Sequence, residues 1–372
     1  MKIGIFTPYL RAFGGGEKYI CKIAETLSHH HFVEFIILED INKEKLENRL
    51  NINLEKISFK KINLRKLKNI SLFKNLVIEN ISKNYDIFIN QENNTTISAK
   101  SKKNFYICQQ PILKLDKTFF QKLTDPFFSD SNLESYQKII VYSQFIKKEI
   151  KKKVKNEIKV VYPPIENFKP FKKENIILSV GRFFVGFHNK KQLEMIKIFK
   201  QLYDENVILN NWEYHLVGGI VKDTKDIYYL KTCQKEARGY PVYIHTDVSF
   251  ETLRGFYGKS KIFWHATGLN KDENDYPELM EHFGITTGEA MSAGCVPVVI
   301  NKGGQPEIVQ EKVDGFLWDT PDQLKEYTLE LIKNDLLWKN MSLASTYRAK
   351  HFGIEKFIAN VKELFIIDNE IN

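Results

Sequence analysis

The feature that most constrains this fold is an alternation of short apolar strands with helical stretches, which starts twice within 372 residues. In the first half, Lys2–Phe6 predicts a strand that leads through the glycines Gly14–Gly16 into a helix. In the second half, Ile176–Val180 predicts a strand that leads through a loop into a helix over Lys190–Leu202. Such alternation predicts parallel sheets covered by helices. We therefore expect an α/β protein of two Rossmann-like, doubly wound domains.

Further short apolar runs predict the remaining strands. They are Phe32–Leu38, Tyr85–Asn90, Asn104–Cys108, Lys138–Tyr142, Tyr214–Val217, Val242–His245, Ile262–His265 and Val296–Ile300. Ser143 is the predicted N-cap of a helix that begins at Gln144. Three prolines and no helical period in Val160–Phe171 predict an interdomain linker. The length also exceeds that of one ordinary hydrophobic core.

Composition narrows the class of protein. No apolar run is long enough to cross a membrane, and the N-terminus lacks the pattern of a signal peptide, so we expect a cytoplasmic protein. The net charge of +9 favours phosphate-bearing ligands, anionic membranes or nucleic acid. The four cysteines lack metal-ligand spacing and are predicted to be buried, reduced thiols.

The segment Lys60–Lys74 mixes basic residues with Ile, Leu and Phe. It has the composition of an amphipathic helix on an anionic membrane or near a lipid acceptor. The alternative is a solvated surface segment, and the residues alone leave both open.

The richest candidate site lies between two glutamates, Glu281 and Glu289. Gly284 is placed to open a helix whose first free N–H groups belong to Ile285 and Thr286, and such a helix end attracts phosphate. Glu289 shares a helical face with Ile285 and is placed to accept hydrogen bonds from ribose hydroxyls. Glu281, just ahead of the helix, is placed to reach a sugar beyond the phosphates. The alternative is an ordinary helix with two surface glutamates.

Two cations flank the loop after the strand Ile176–Val180. Arg182 follows its end and Lys190 is predicted to start the next helix, so both suit a diphosphate leaving group. Lys191 is a neighbour that spacing does not separate from Lys190. In the first half, the Gly14–Gly16 loop suits a phosphate or an acceptor, although a tight structural turn explains it equally well.

Taken together, these segments resemble family-4 retaining glycosyltransferases of the GT-B fold, also called glycosyl transferases group 1. The similarity extends from Met1 to about Trp318. The segments that carry it are MKIGIFTPYLRAFGGGEKY, VYSQFIKKEI, VVYPPIENFKP, SVGRFFVGFHNKKQLEMI and EHFGITTGEAMSAGCVPVVINKGGQPE. The last of these contains Glu281-x7-Glu289, Phe283-Gly284-Ile285 and Gly294-x-x-Pro297-Val298.

The resemblance implies a division of the chain into two domains that face each other across a cleft. Residues 1–162 would bind the acceptor, 163–175 would link the domains, and 176–344 would bind the nucleotide sugar. Residues 345–372 would form a helix that crosses back to the N-terminal domain.

The resemblance also implies roles for individual residues. Glu281, Arg182 and Lys190 are the expected catalytic residues, the two cations contacting the phosphates. The expected donor-binding residues are Gly15, Gly16, Phe283, Gly284, Ile285, Thr286 and Glu289.

The acceptor side departs from the family. Many members carry a histidine before a proline in the segment matching Tyr106–Pro111, where this chain has Gln109 and Gln110. Glutamine is no general base but can orient a sugar hydroxyl. Five other histidines are predicted to be mainly structural, with His282 the strongest ligand candidate because it adjoins Glu281. They are His188, His215, His245, His265 and His282.

The resemblance predicts transfer of a hexosyl unit from a nucleotide-diphosphate sugar to a glycan or glycan-lipid hydroxyl with retention of configuration, in surface polysaccharide or glycan-lipid assembly. GDP-mannose is the first expectation for the donor, followed by UDP-glucose and UDP-N-acetylglucosamine. No D-x-D motif occurs, so we expect no metal and no cofactor. A peripheral position on the inner membrane face is compatible with the basic charge, and we expect no nucleic-acid partner.

Two other function classes stay open at this point. One is another nucleotide-sugar enzyme of the same fold, such as an epimerase, or a phosphorylase, which would need a pyridoxal phosphate lysine. The other is a non-enzymatic basic module for membrane or nucleic acid, whose affinity would fall steeply with salt and be indifferent to Glu281.

Overall fold

The computed structural model describes residues 1–8, 10–11, 14–62, 71–93, 95, 97–111, 130–220 and 223–365. The chain divides into two compact units, Met1–Pro163 together with the chain from Phe357 onward, and Pro164–Lys356. Each unit contains one parallel sheet flanked by helices. The prediction of two Rossmann-like α/β domains is therefore confirmed.

The described residues of the first unit form a sheet of seven strands. They are β1 (Lys2–Phe6), β2 (Phe32–Ile37), β3 (Ile57–Lys61), β4 (Ile87–Asn90), β5 (Lys103–Cys108), β6 (Lys138–Val141) and β7 (Glu157–Val160). The helices among them are α1 (Gly15–Ser28), α2 (Lys43–Leu50), α3 (Ser71–Ser82) and α4 (Gln144–Lys151), with a 3₁₀ turn at Asp130–Ser135. All strand pairs are parallel, in the order β3-β2-β1-β4-β5-β6-β7.

The second unit repeats this plan with six strands. They are β8 (Glu174–Val180), β9 (Glu213–Gly218), β10 (Val242–Thr246), β11 (Ser260–His265), β12 (Val296–Ile300) and β13 (Phe316–Trp318). The helices are α5 (Gln192–Glu205), α6 (Thr224–Glu236), α7 (Phe250–Lys259), α8 (Ile285–Ser292), α9 (Gln305–Ile308), α10 (Pro321–Lys333), α11 (Asp335–Ala349) and α12 (Ile354–Phe365), with 3₁₀ turns at Val207–Asn211, Pro277–Leu279 and Lys350–Phe352. The parallel order is β10-β9-β8-β11-β12-β13. From Phe357, α12 belongs to the first unit.

Local chemistry explains where the helices begin. Ser143 caps α4, because its Oγ accepts the Ile146 N–H at 3.1 Å, as predicted. In α1, the Glu17 carboxylate accepts the Gly14 N–H at 2.6 Å and so satisfies a donor that the helix itself leaves free. Both helix starts are thus stabilised by a side chain that accepts a free backbone N–H.

Several predictions need correction or lie outside the described chain. The helix predicted from Lys190 begins at Gln192, because Lys191 takes a left-handed conformation with φ 58° and interrupts the helical path. Strands β3, β7 and β13 were not predicted. The segment Lys60–Lys74 falls largely outside the described residues, which omit 63–70.

The cysteine prediction is confirmed. All four cysteines are buried and free. Within the described residues, no helix combines the length and the apolar character needed to span a bilayer.

Both sheets share one topological feature. The direction of the strand order reverses beside the first strand of each unit. In the second unit the reversal lies between β8 and β11, whose neighbours β9 and β12 lead in opposite directions. Loops leaving the carboxyl ends of such a strand pair diverge, and ligands of doubly wound sheets bind in the crevice between them. The loop after β8 also needs glycine beside it, because a Cβ on Gly218 would lie 2.0 Å from the Gly181 carbonyl oxygen.

We predict opposite stability effects for two glycine substitutions in the second unit. Gly218→Ala should lower the free energy of unfolding by about 1–3 kcal/mol, because the methyl group meets backbone that has no room to move. Gly255→Ala should raise it by about 0.5–1 kcal/mol, because the methyl group meets no atom within 4 Å and alanine favours the α7 helix. Calorimetric unfolding midpoints that move in the same direction for both variants would contradict this account.

Candidate functional site

The carboxyl ends of β8 and β11 form the base of the candidate site. The two strands are paired, with Phe263 opposite Leu178, and Ser179 Oγ donates to the Trp264 carbonyl oxygen at 2.9 Å. The fully buried Trp264 ring packs against Tyr214, with 5.3 Å between ring centroids. His265, the last residue of β11, is therefore fixed at the strand end from which the next loop departs.

A buried carboxylate, that of Glu281, is the centre of the site. Lys190 Nζ donates to its Oε2, and His265 Nε2 lies 2.9 Å from the same oxygen. The side chains of Glu281 and Lys190 are 15% and 20% exposed, so water screens their ion pair only weakly. Burial acts to raise the pKa of Glu281, but Lys190 and His265 outweigh it and hold that pKa well below its usual range. Glu281 therefore stays ionised, and the positive charge of Lys190 balances its negative charge.

A glycine turn fixes the backbone of Glu281 from the other side. Gly304 N–H donates to the Glu281 carbonyl oxygen at 2.7 Å. A Cβ on Gly303 would lie 2.3 Å from that oxygen, and one on Gly304 would lie 2.5 Å from the Phe283 Cα. Two consecutive glycines are required because the two backbones approach so closely. The next residue, Gln305, is fully buried and places its Nε2 3.3 Å from His265 Nδ1.

Helix α8 begins beside this carboxylate. Gly284 precedes the helix with φ 118°, a conformation that favours glycine, and the helix starts at Ile285 as predicted. Among the described residues, the N–H groups of Ile285 and Thr286 have no hydrogen-bond partner, and both residues are partly exposed. The helix end therefore offers two free donors and the positive end of a dipole to an anion.

The two predicted cations, Arg182 and Lys190, differ in their partners. Arg182 is exposed, has no ion pair among the described residues, and places its guanidinium 5.9 Å from the centre of the Phe184 ring. His188 Nδ1 lies 3.2 Å from the Met280 carbonyl oxygen. Burial lowers the pKa of His188, and Lys190 and Arg182 lower it further against the opposing charge of Glu281. Both cations thus act electrostatically on one histidine beside Glu281.

Lys191 forms its ion pair with Glu194 and not with Glu281. Its Nζ lies 3.5 Å from Glu194 Oε1 within the first turn of α5. This contact separates it from Lys190, which the sequence alone could not do.

Glu289 occupies a different environment from Glu281. It is buried within α8, and the Tyr257 hydroxyl donates to its Oε2 at 3.1 Å. Phe283 is also buried, with its ring 5.5 Å from that of Phe352. The Phe283 ring is therefore part of the packing below the site.

The residues predicted in the first unit group around α1. Gly15 is the first residue of the helix, and Gly16 is its second. A Cβ on Gly16 would lie 2.5 Å from Gln109 Oε1, so the predicted glycine and glutamine are in contact. Gln91 Nε2 donates to the Gly16 carbonyl oxygen at 2.9 Å, a contact the sequence did not suggest. Gln110 accepts a hydrogen bond from Cys108 Sγ through its backbone oxygen.

Sequence reasoning did not identify His265 as the histidine that contacts Glu281. His282, the strongest ligand candidate among the histidines in the sequence, lies with its ring edge-on to that of His188, with 4.4 Å between centroids. His265 contacts the Glu281 carboxylate, and Gln305 contacts His265. The available signal was the position of His265 at the carboxyl end of a predicted strand, where ligand-site residues gather.

The chain is similar to known glycosyltransferases in sequence and in fold. The family described as Glycosyl transferases group 1 matches residues 164–350. The chain is 24% identical over 237 residues to the GDP-Man:Man(3)GlcNAc(2)-PP-Dol alpha-1,2-mannosyltransferase of Dictyostelium discoideum, covering 60% of this chain and 42% of that protein. It is 28% identical over 209 residues to the human Alpha-1,3/1,6-mannosyltransferase ALG2, covering 53% and 46%. The chain thus matches less than half the length of either relative.

A solved structure resembles the fold over its full length. A glycosyltransferase from Rickettsia africae ESF-5 matches with a TM-score of 0.70 at 16% identity, covering 99% of both chains. At that identity the likeness establishes the fold alone, and it confirms the GT-B fold predicted from the sequence.

We predict that Lys190→Met destabilises the protein in a pH-dependent way. It leaves Glu281 buried without its cation, which should cost about 3–5 kcal/mol of unfolding free energy at neutral pH. Because the pKa of Glu281 is lower folded than unfolded, the stabilisation is complete above the unfolded value of about 4.3 and is lost as the pH falls below it. The difference from wild type in denaturant titrations should therefore shrink below that pH.

The matched control is Lys191→Met. Its pair with the partly exposed Glu194 should contribute under about 1 kcal/mol. Equal losses for the two lysine variants, or a loss for Lys190→Met that persists unchanged in acid, would refute the buried pair.

Proposed function

The chain belongs to the glycosyl transferases group 1, and from that membership we propose that it transfers a hexosyl unit from a nucleotide-diphosphate sugar to a hydroxyl acceptor with retention of configuration. The observation that carries the proposal is the set of groups near the Glu281 carboxylate. Lys190 bonds to it, helix α8 starts four residues after it with free N–H groups at Ile285 and Thr286, and Arg182 acts electrostatically on the nearby His188.

The diphosphate of the donor is proposed to bind at the end of α8. The N–H groups of Ile285 and Thr286 would donate to phosphate oxygens, and Arg182 would add a charge-assisted bond. Lys190 can keep its bond to Glu281 and still reach a phosphate, because an ammonium group has three donors. These bonds strengthen as the leaving group gains charge, so they stabilise the transition state more than the ground state.

The transferred sugar is proposed to lie against Glu281. Lys190 and His265 both bind Oε2, which leaves Oε1 to accept from a sugar hydroxyl. Glu289 is proposed to accept from the ribose hydroxyls, with Tyr257 holding its carboxylate. In the first unit, Gly15 and Gly16 stay predicted donor-binding residues, and Gln109 and Gln110 stay the predicted acceptor side.

The proposed chemistry needs no enzyme nucleophile. The acceptor hydroxyl would attack the anomeric carbon from the face that the diphosphate leaves, and a departing phosphate oxygen would take its proton. The bond from the anomeric carbon to the phosphate oxygen breaks as the new glycosidic bond forms. Charge neutralisation would come from Arg182, Lys190 and the helix end, so we propose a metal-independent reaction.

GDP-mannose is the proposed donor and a glycan or lipid-linked glycan the proposed acceptor. Both relatives named above are mannosyltransferases, and the name of the Dictyostelium protein includes GDP-Man as donor and a PP-Dol-linked acceptor. UDP-glucose and UDP-N-acetylglucosamine are the alternatives that the experiment must separate.

We predict that GDP raises the thermal midpoint of the wild-type chain more than UDP does, because ligand that binds only the folded state stabilises it. Arg182→Ala should abolish most of that shift by removing a phosphate contact. Glu281→Gln should keep the shift and lower mannosyl transfer from GDP-mannose by about 100-fold or more, since the uncharged amide is a weaker acceptor.

The control for surface charge is Arg254→Ala on α7, where Arg254 contacts only Glu251 among the described residues. It should bind GDP and transfer sugar as wild type does. A larger shift with UDP would reassign the base, and undiminished transfer by Glu281→Gln would remove Glu281 from the mechanism. Sugar conversion without any acceptor would instead favour an epimerase.

A peripheral membrane location is proposed from the segment Lys60–Lys74 alone. Replacing its lysines and arginine with glutamine should reduce binding to anionic liposomes and leave binding to zwitterionic liposomes unchanged, because the attraction is electrostatic. Transfer to a soluble acceptor should stay at the wild-type rate. Equal liposome binding by both proteins in a flotation assay would retire the proposal.

A further inference from the structure

His265, which was not among the predicted site residues, contacts the carboxylate at the centre of the site. His265 is fully buried at the end of β11, and both of its ring nitrogens have partners. Nε2 lies 2.9 Å from Glu281 Oε2, and Nδ1 lies 3.3 Å from Gln305 Nε2. Each partner constrains which nitrogen carries the proton.

The two contacts agree on one tautomer. The Glu281 carboxylate is only an acceptor, so Nε2 must carry a hydrogen. Burial lowers the pKa of His265, so the ring is neutral near pH 7 and its Nδ1 is bare. A bare Nδ1 requires a donor, and the amide NH₂ of Gln305 supplies it.

The opposite orientation of Gln305 is unfavourable. A flipped amide would turn its Oε1 toward the lone pair of Nδ1 and place two acceptors together. Thr267 Oγ1 lies 3.2 Å from Nε2 and can share its proton as a second acceptor. It therefore leaves the assignment unchanged.

The contacts of Lys190 and His265 leave one oxygen of Glu281 available to a ligand. Lys190 and His265 both bind Oε2, and among the described residues no hydrogen bond reaches Oε1. Lys190 alone would hold the carboxylate by a flexible four-carbon chain, whereas the imidazole is fixed by its strand and by Gln305. The ring therefore supplies the rigid contact that orients the carboxylate.

We propose that His265 is a positioning residue, which donates from Nε2 to Oε2 of Glu281 and so presents Oε1 to a hydroxyl of the transferred sugar, with Gln305 fixing its tautomer. The role of Oε1 rests on the proposed glycosyl transfer. The tautomer does not, because it is a property of the folded chain without ligand.

The tautomer is tested by ¹⁵N NMR of the full chain labelled at histidine. His265→Gln identifies the His265 signals by their loss. We expect Nε2 protonated and Nδ1 bare near pH 7 in wild type. In Gln305→Glu, a carboxylate faces Nδ1, so both nitrogens should become protonated. A wild-type ring protonated at Nδ1 and bare at Nε2 overturns the proposal, whether or not the chain transfers sugar.

The positioning role is tested by separating binding from turnover. His265→Leu should bind GDP within about twofold of wild type, because GDP has no transferred sugar, and should lower kcat for transfer at least tenfold. His265→Gln should recover kcat to within about threefold, because its amide can donate near the Nε2 position. Wild-type kcat in His265→Leu overturns the proposal.

Two measurements keep this test decisive. His245→Leu is the matched control, since His245 contacts His215 and lies outside the Glu281 network among the described residues, and it should retain kcat. If His265→Leu fails to fold, the NMR result on wild type still decides the tautomer and the Gln variant still reports on kcat. If wild type transfers no sugar, the proposed function fails and the tautomer assignment stands or falls on the NMR result alone.

Discussion

The ion pair between Lys190 and Glu281 is the interaction on which the candidate site depends. It joins two loops that leave neighbouring strands, and it is mostly shielded from water. A buried carboxylate without a cation would take up a proton or move toward solvent. With Lys190 present, Glu281 stays charged, and the two loops are held at a fixed separation beside the end of α8.

Sheet topology explains why these groups meet. Lys190 follows β8 and Glu281 follows β11, and the two strands are neighbours although β9 and β10 lie between them in sequence. The change in strand order turns the following chain in opposite directions and leaves a crevice between the loops. Gly303 and Gly304 then bring a third loop, the one after β12, against the Glu281 backbone. The site is therefore assembled by three adjacent strands rather than by one motif.

The strand predictions succeeded or failed for a physical reason. Lys2–Phe6 and Val296–Ile300 match the structure at both ends because they are central strands of nearly continuous apolar residues. The strands that were missed, β3, β7 and β13, are all at sheet edges. Edge strands are half exposed or very short, so their sequences lack a long apolar run. Similarly, His265 lies 16 residues from Glu281 and 40 from Gln305, so no local pattern could reveal their contact.

The two glutamates of the motif have different partners. Glu281 faces a cation and a neutral imidazole, so its charge is balanced before any ligand arrives. Glu289 receives a hydrogen bond from the Tyr257 hydroxyl, and burial raises the pKa of that tyrosine well above its usual value, so Tyr257 stays neutral and remains a donor. A diphosphate at the end of α8 would therefore meet little net repulsion from Glu281, whereas Arg182 keeps a full positive charge for it. The arrangement allows two carboxylates to flank the proposed diphosphate site while the helix end keeps its attraction for an anion.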